Sequence, residues 1–155
     1  MTQTKSIALN RRATHDYTIL ESFEAGIVLL GTEVKSIRQG LVNLKDSHIM
    51  IDDYELWLYN CHIAIYDHGN RFNHEPTQKR KLLMNKKQII RLKSLVKEKG
   101  LTLIPLKFYF KGSLIKVEIG LGKGKKLYDK RESMTQRDTK RDIERLIKNK
   151  EWKQD

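Results

Sequence analysis

The sequence predicts a mainly β fold with helices: a small antiparallel barrel, closed or nearly so, with flanking helices and a basic tail that has no core of its own. Three observations predict it. Short segments with apolar residues at alternate positions recur between turn residues, one long segment of helical periodicity interrupts them, and apolar content falls away after residue 122. The expected division is a barrel domain over residues 1–122 and a tail over 123–155.

Taken in order, Tyr17, Ile19 and Phe23, followed after Gly26 by the apolar run 27–30, indicate one bent strand or two consecutive ones. In GTEVKSIRQG, residues 31–40, Thr32 can cap a short helix that turns Val34, Ile37 and Leu41 inward and stops at Gly40. Residues 44–51 and 55–65 read as strands about an Asp52-Asp53 turn, the second placing Trp57, Tyr59, Cys61, Ile63 and Ile65 on one face. Residues 67–80 lack periodicity and should form an exposed loop. A helix follows, with Asn85 as N-cap, Gln88 three residues on, a stripe of Ile89, Ile90, Leu92, Leu95 and Val96, and Gly100 as its stop. Residues 101–111 and 114–121 are strands joined by Gly112-Ser113, and Pro105 requires an edge or a bulge in the first. Residues 122–124 are the one expected flexible junction. Five or six short strands with a helix before the last pair describe a barrel of the oligonucleotide-binding type.

The 155 residues carry 31 Lys and Arg against 19 Asp and Glu, a formal charge of +12. That balance, with its basic residues clustered, points to RNA or DNA before an acidic protein or a membrane. No segment approaches the roughly 18–20 apolar residues of a membrane span, and the first residues lack the apolar centre of a secretory signal, so a cytoplasmic protein is expected. Cys61 is the sole cysteine, which excludes an internal disulfide and a cysteine-built zinc site and reads as a small buried thiol. In residues 122–155 Lys and Arg outnumber Asp and Glu twelve to seven. Leu127, Tyr128, Met134, Ile143, Leu146, Ile147 and Trp152 are too sparse there to offset ordering entropy. A tail disordered until it meets a polyanion is the expectation.

Two basic clusters offer phosphate contacts: Lys79, Arg80 and Lys81, and the glycine-spaced Lys123, Lys125 and Lys126. A solvated charge run is the lesser reading of the first, and the second is the sharper signal because its glycines let backbone and lysines approach a phosphate closely. The second is not a nucleotide-triphosphate loop, since no Gly-Lys-Ser/Thr opens a helix there. Glu33, amid Lys35 and Arg38, reads either as a surface ion pair or as an acceptor that orders basic residues or meets a base edge. His62, His68 and His74 with Asp67 and Glu75 match no metal-ligand spacing, and no nucleophile triad or carboxylate pair is legible. No metal, no cofactor and no enzyme activity are expected.

Three stretches, EAGIVLLGTEVKSIRQG (24–40), KRKLLMNKKQI (79–89) and GKGKKLYDKR (122–131), stand in an order and spacing that resembles the small protein B (SmpB) family of bacterial ribosome rescue. Met84 replaces an expected third leucine, and the likeness loosens beyond Thr135. The resemblance implies an oligonucleotide-binding-type barrel and a tail ordered only on the ribosome. It implies as partners the tRNA-like domain of transfer-messenger RNA and the stalled 70S ribosome with its 16S rRNA, with elongation factor Tu and alanyl-tRNA synthetase reached through the RNA. A free monomer and no membrane contact belong to the same expectation. By motif, Asn10, Arg11, Arg12, Glu33, Lys35, Lys123, Lys125 and Lys126 would contact the tRNA-like domain, and Arg38, Lys79, Arg80 and Lys81 extend that basic set. Asp129, Lys130 and Arg131 match the tail motif that acts on the ribosome. Farther along, Arg141, Arg145 and Lys148 would meet phosphates from an induced helix whose apolar face holds Ile143, Leu146 and Ile147. A ribosome-assembly protein remains the main alternative reading, and a metal-dependent nuclease using His68 or His74 a third.

Overall fold

A computed structural model describes residues 4–67 and 73–125. In chain order these form β1 (Thr4–Leu9), α1 (Ala13–Asp16), β2 (Tyr17–Ile27), α2 (Gly31–Arg38), β3 (Val42–Asn43), β4 (His48–Asp52), β5 (Glu55–Tyr59), β6 (His62–Ile63), β7 (Arg80–Leu83), α3 (Lys86–Lys99), β8 (Thr102–Lys111) and β9 (Leu114–Gly124). Strands pair in the order β8-β4-β5-β7-β2-β9, and β9 returns to β8, so the sheet closes on itself. β1 pairs with β8 beside β4, and β3 and β6 make a separate two-stranded ladder. The predicted antiparallel barrel is therefore present, and closure leaves few edge strands to guard.

Inside it Leu56, Leu58, Leu82, Phe108, Val117, Ile119 and Leu121 are buried, joined by Ile37 of α2 and by Ile89 and Leu92 of α3. The long helix stands as expected: the Asn85 side chain accepts from the Lys87 amide at 2.8 Å, and Gly100 closes the helix at φ 65. Pro105 coincides with the bulge between Pro105 and Lys107, which removes the need for a ladder donor there.

Other expectations are corrected. Of the two alternatives for the first segment, the single bent strand is present, with β2 bent by a bulge between Ile19 and Glu21, but the run 28–30 lies outside it. α2 begins after Leu30, not at a Thr32 cap: Glu33, at the third helical position, accepts the Leu30 amide at 2.8 Å. Leu41 is 45% exposed, because Gly40 at φ 77 turns the chain away before it. The expected strand 44–51 is interrupted by a turn with Asp46 at φ 64. β5 and β6 are separated by Asn60 at φ 59, and that kink resets the alternation. Leu56 and Leu58 point inward before it and Cys61 and Ile63 after it, while Trp57 and Tyr59 face outward and Ile65 is exposed. Both phases of this stretch are apolar, so periodicity alone selected the wrong one for its first half.

β7 falls where a loop was expected to end, because Lys81 and Leu82 find ladder partners on β5 that sequence could not show. Residues 122–124 are no linker: Gly122 pairs with Ile19 and Thr102 and Lys123 with Thr18. A Cβ on Gly122 would stand 2.9 Å from Ile104 Cδ1 and 3.2 Å from the Thr18 carbonyl, so glycine permits this close approach. Among the described residues no helix is long and apolar enough to cross a membrane.

Candidate nucleic-acid interface

Two pairs of cations from opposite ends of the described chain lie at one end of the barrel. Arg11 and Arg12 are exposed in the turn before α1, and β9 delivers exposed Lys123 beside Thr18. Lys125 fixes the junction: its amide donates to the Asp16 carbonyl at 2.9 Å and its ammonium to the Thr14 carbonyl at 3.1 Å. Half-buried Asn10 shapes this end from within. Its side-chain amide donates to the Pro105 carbonyl at 2.8 Å and its backbone amide to the Leu106 carbonyl at 2.8 Å, which anchors the turn from which the two arginines project. Beside them lies a hollow of about 240 Å³ lined by Asn10, Arg12, Tyr17, Asp46, His48 and Ile104 among others.

Glu33 and Arg80 are corrections to the expected RNA-binding set. Their side chains are each 1% exposed and paired with one another inside the fold. Arg80 occupies an inward position of β7, in phase with Leu82, and spends its remaining donors on the carbonyls of Cys61 at 2.6 Å, Pro76 at 3.0 Å and Glu75 at 3.2 Å. Gln78 donates to the same Glu33 oxygen as Arg80, at 3.2 Å, while the other oxygen takes the Leu30 amide. An RNA cannot reach either charge in this conformation; together they tie α2 to the segment entering β7. His74 belongs to the same support, with Thr32 at 2.9 Å on one ring nitrogen and the Ile63 carbonyl at 2.8 Å on the other. Among the described residues no cluster of three His, Cys, Asp or Glu could hold a metal ion.

The other expected cations stay on the surface but apart. Lys35 and Arg38 project from α2, Lys35 with its ammonium 5.5 Å from the Tyr66 ring centre and Arg38 5.7 Å from that of Phe110. Lys79 lies 4.5 Å above the Trp57 ring, and Lys81 pairs with Glu55 at 2.8 Å. Lys126 and the tail residues Asp129, Lys130, Arg131, Arg141, Arg145, Ile147 and Lys148, together with His68, lie outside the described residues.

On the outer face of β2, β8 and β9 the charges neutralise one another. The Tyr109 hydroxyl donates to Glu24, Lys111 reaches the same carboxylate at 3.0 Å, and Lys107 meets Glu118 at 3.5 Å. The Tyr109 and Lys111 donors hold the Glu24 carboxyl below its ordinary value, while burial and the adjacent carboxylate push the Tyr109 hydroxyl up. Burial pushes the Cys61 thiol up to about 12, which marks it as structural.

The outward aromatics of β4 and β5 were missed in the sequence. His48 and Tyr59 stack with ring centres 5.3 Å apart and planes 9° apart, and Met50 faces Trp57 two residues along the strand. The signal was present in the alternation of residues 55–59, assigned there to the opposite face.

Comparison with known proteins bears on this geometry directly. The family described as SmpB protein matches residues 7–149. An SsrA-binding protein of Carboxydothermus hydrogenoformans is 62% identical over 144 residues, covering 93% of this chain and 97% of the relative. One from Halalkalibacterium halodurans is 56% identical over 149 residues, covering 96% and 97%. A solved structure presented as "tmRNA-SmpB: a journey to the center of the bacterial ribosome" is 52% identical with a TM-score of 0.64, covering 77% of this chain and 84% of that one. The family match extends through most of the tail, to residue 149. With the barrel, its basic end and a likeness of this extent in agreement, the chain belongs to the SmpB protein family.

Proposed function

We propose that this chain binds transfer-messenger RNA and serves trans-translation, as a non-enzymatic partner that brings the RNA to stalled ribosomes. The observation that carries the reading is the near full-length identity to proteins named SsrA-binding protein. The barrel end supplies a physical basis: Arg11 and Arg12 on the turn before α1, and Lys123 and Lys125 at the end of β9 bonded to α1, suit the phosphates of a folded RNA such as a tRNA-like domain. In this reading the barrel fills the place of an anticodon arm, with Lys35, Arg38, Lys79 and Lys81 as further backbone contacts.

Residues 126–155 act as the ribosome-directed tail, with Asp129, Lys130 and Arg131 at its root and Arg141, Arg145, Ile147 and Lys148 farther along in the empty mRNA channel. Since β9 reaches Gly124 and Lys125 is bonded to α1, the tail begins after Lys125 in this division, not after residue 122. The protein works in the cytoplasm as a monomer, and elongation factor Tu and alanyl-tRNA synthetase meet it through the RNA.

Competition binding of the full chain to the tRNA-like domain against ordinary tRNA, at physiological salt, tests the reading. A strong preference for the tRNA-like domain is expected, and equal affinity for both would return the chain to a general RNA-binding or assembly role. For the tail, alanines at Asp129, Lys130 and Arg131 should spare RNA binding and abolish tagging in a reconstituted translation system; tagging at the normal level would refute that division.

A further inference from the structure

The inward positions of β4, β5 and β7 are filled by Ile49, Leu56, Leu58, Arg80 and Leu82, so the aromatic and apolar residues on their outer face have no part in the core. Across these strands His48 stands opposite Tyr59, Met50 opposite Trp57, and Trp57 opposite Lys81. His48 is exposed, Met50 is 54% exposed, and Trp57 and Tyr59 are half-buried. We propose that this strip is a stacking platform for unpaired RNA bases, a second RNA surface beside the cations of the barrel end. The inference rests on the RNA-binding reading above and adds the class of ligand that this face takes.

Geometry and charge favour a nucleic-acid strand over an apolar protein partner. The His48 and Tyr59 rings are already parallel, so a base can extend an existing stack without reorganising it. The Trp57 layer follows two residues along the strand, about 7 Å away, and Lys79 caps that ring with its ammonium 4.5 Å from the ring centre, so a base that stacks on this face displaces the ammonium, which then remains at hand for the adjoining phosphate. Glu55, two residues before Trp57 on β5, is neutralised by Lys81 at 2.8 Å. At the opposite end His48 also lines the hollow with Arg12 and Tyr17, so the strip runs into the basic end. A row of rings bracketed by cations at both ends matches bases and phosphates, the two chemistries that alternate along a single strand. Asp46 in the hollow and Asp52 at the far end of β4 limit where phosphates can pass and direct them toward Arg12 and Lys79.

The test uses the full chain with Trp152→Phe, which leaves Trp57 as the only tryptophan. Trp57 emission is followed while a short single-stranded oligoribonucleotide, and separately an abasic oligomer of equal length, is added. Quenching by the base-containing strand alone is expected, with its affinity lowered about tenfold by Tyr59→Ala and recovered by Tyr59→Phe. Equal affinity for the abasic oligomer with unchanged emission, or quenching that survives both Tyr59→Ala and His48→Ala, overturns the platform. The two readings fail separately. Silent Trp57 in a chain that selects the tRNA-like domain removes only the platform, whereas quenching by single strands without that selection removes only the rescue role.

Discussion

At the scale of single residues, the Glu33–Arg80 pair decides how α2 and β7 are held. Glu33 was legible as half of an ion pair, but its neighbours in sequence, Lys35 and Arg38, suggested a surface partner. The actual partner is Arg80, forty-seven positions later, brought in by closure of the barrel. Arg80→Ala would strand a buried carboxylate, so unfolding stability should fall by about 3–5 kcal/mol in urea titrations. A fall below about 1 kcal/mol would contradict the burial. Arg80→Lys should restore little, because one ammonium cannot reproduce a guanidinium's reach to three carbonyls and a carboxylate. Cys61 supplies a pH prediction. Its folded thiol is raised from 9.0 to about 12, so the unfolded chain gives up the proton first. Its contribution to stability is therefore complete below about pH 9 and is lost as pH rises from there toward 12. At pH 8 a thiol reagent should modify Cys61 only at the rate of unfolding, and fast modification of the native protein would mean that the site is open. Gly122→Ala should cost about 1–3 kcal/mol, since the new methyl meets backbone as well as the Ile104 side chain; its melting temperature reports this.

At the scale of elements, legibility followed local determination. α3 was readable because its cap, stripe and stop all lie within its own sixteen residues from Asn85 to Gly100. Asn85→Ala should therefore lower stability by about 1 kcal/mol, visible as a shift in the denaturation midpoint. β1 and α1 were invisible: Ile7 and Ala8 are only half-buried, and β1 is a strand because β8 offers it an edge. The phase of β5 depended on Asn60, whose left-handed backbone turns two apolar sets inward in succession. Asn60→Val should destabilise by about 1–2 kcal/mol, since a β-branched residue resists that conformation. Asn60→Gly, measured the same way, should stay close to the parent protein.

At the scale of the whole molecule, charge and closure act together. The net charge of +12 announces a polyanion, but only the barrel shows which cations are available to it. Arg12→Ala or Lys123→Ala should reduce the slope of log affinity against log salt by about 0.9 for each phosphate no longer neutralised, or somewhat less on single-stranded RNA. The control Asn85→Ala should leave that slope unchanged, because it alters a helix cap and removes no cation. The sequence by itself determined the barrel class, the long helix, the terminal hairpin with its Pro105 bulge, and the basic character, since each follows from periodicity, turn chemistry or composition within a short window. Only the tertiary structure decided that Glu33 and Arg80 are internal, that Trp57 and Tyr59 face outward, and that Arg12 and Lys123 share one end. Those outcomes depend on strand pairings between distant segments, and a pairing partner leaves no mark on the residues that await it.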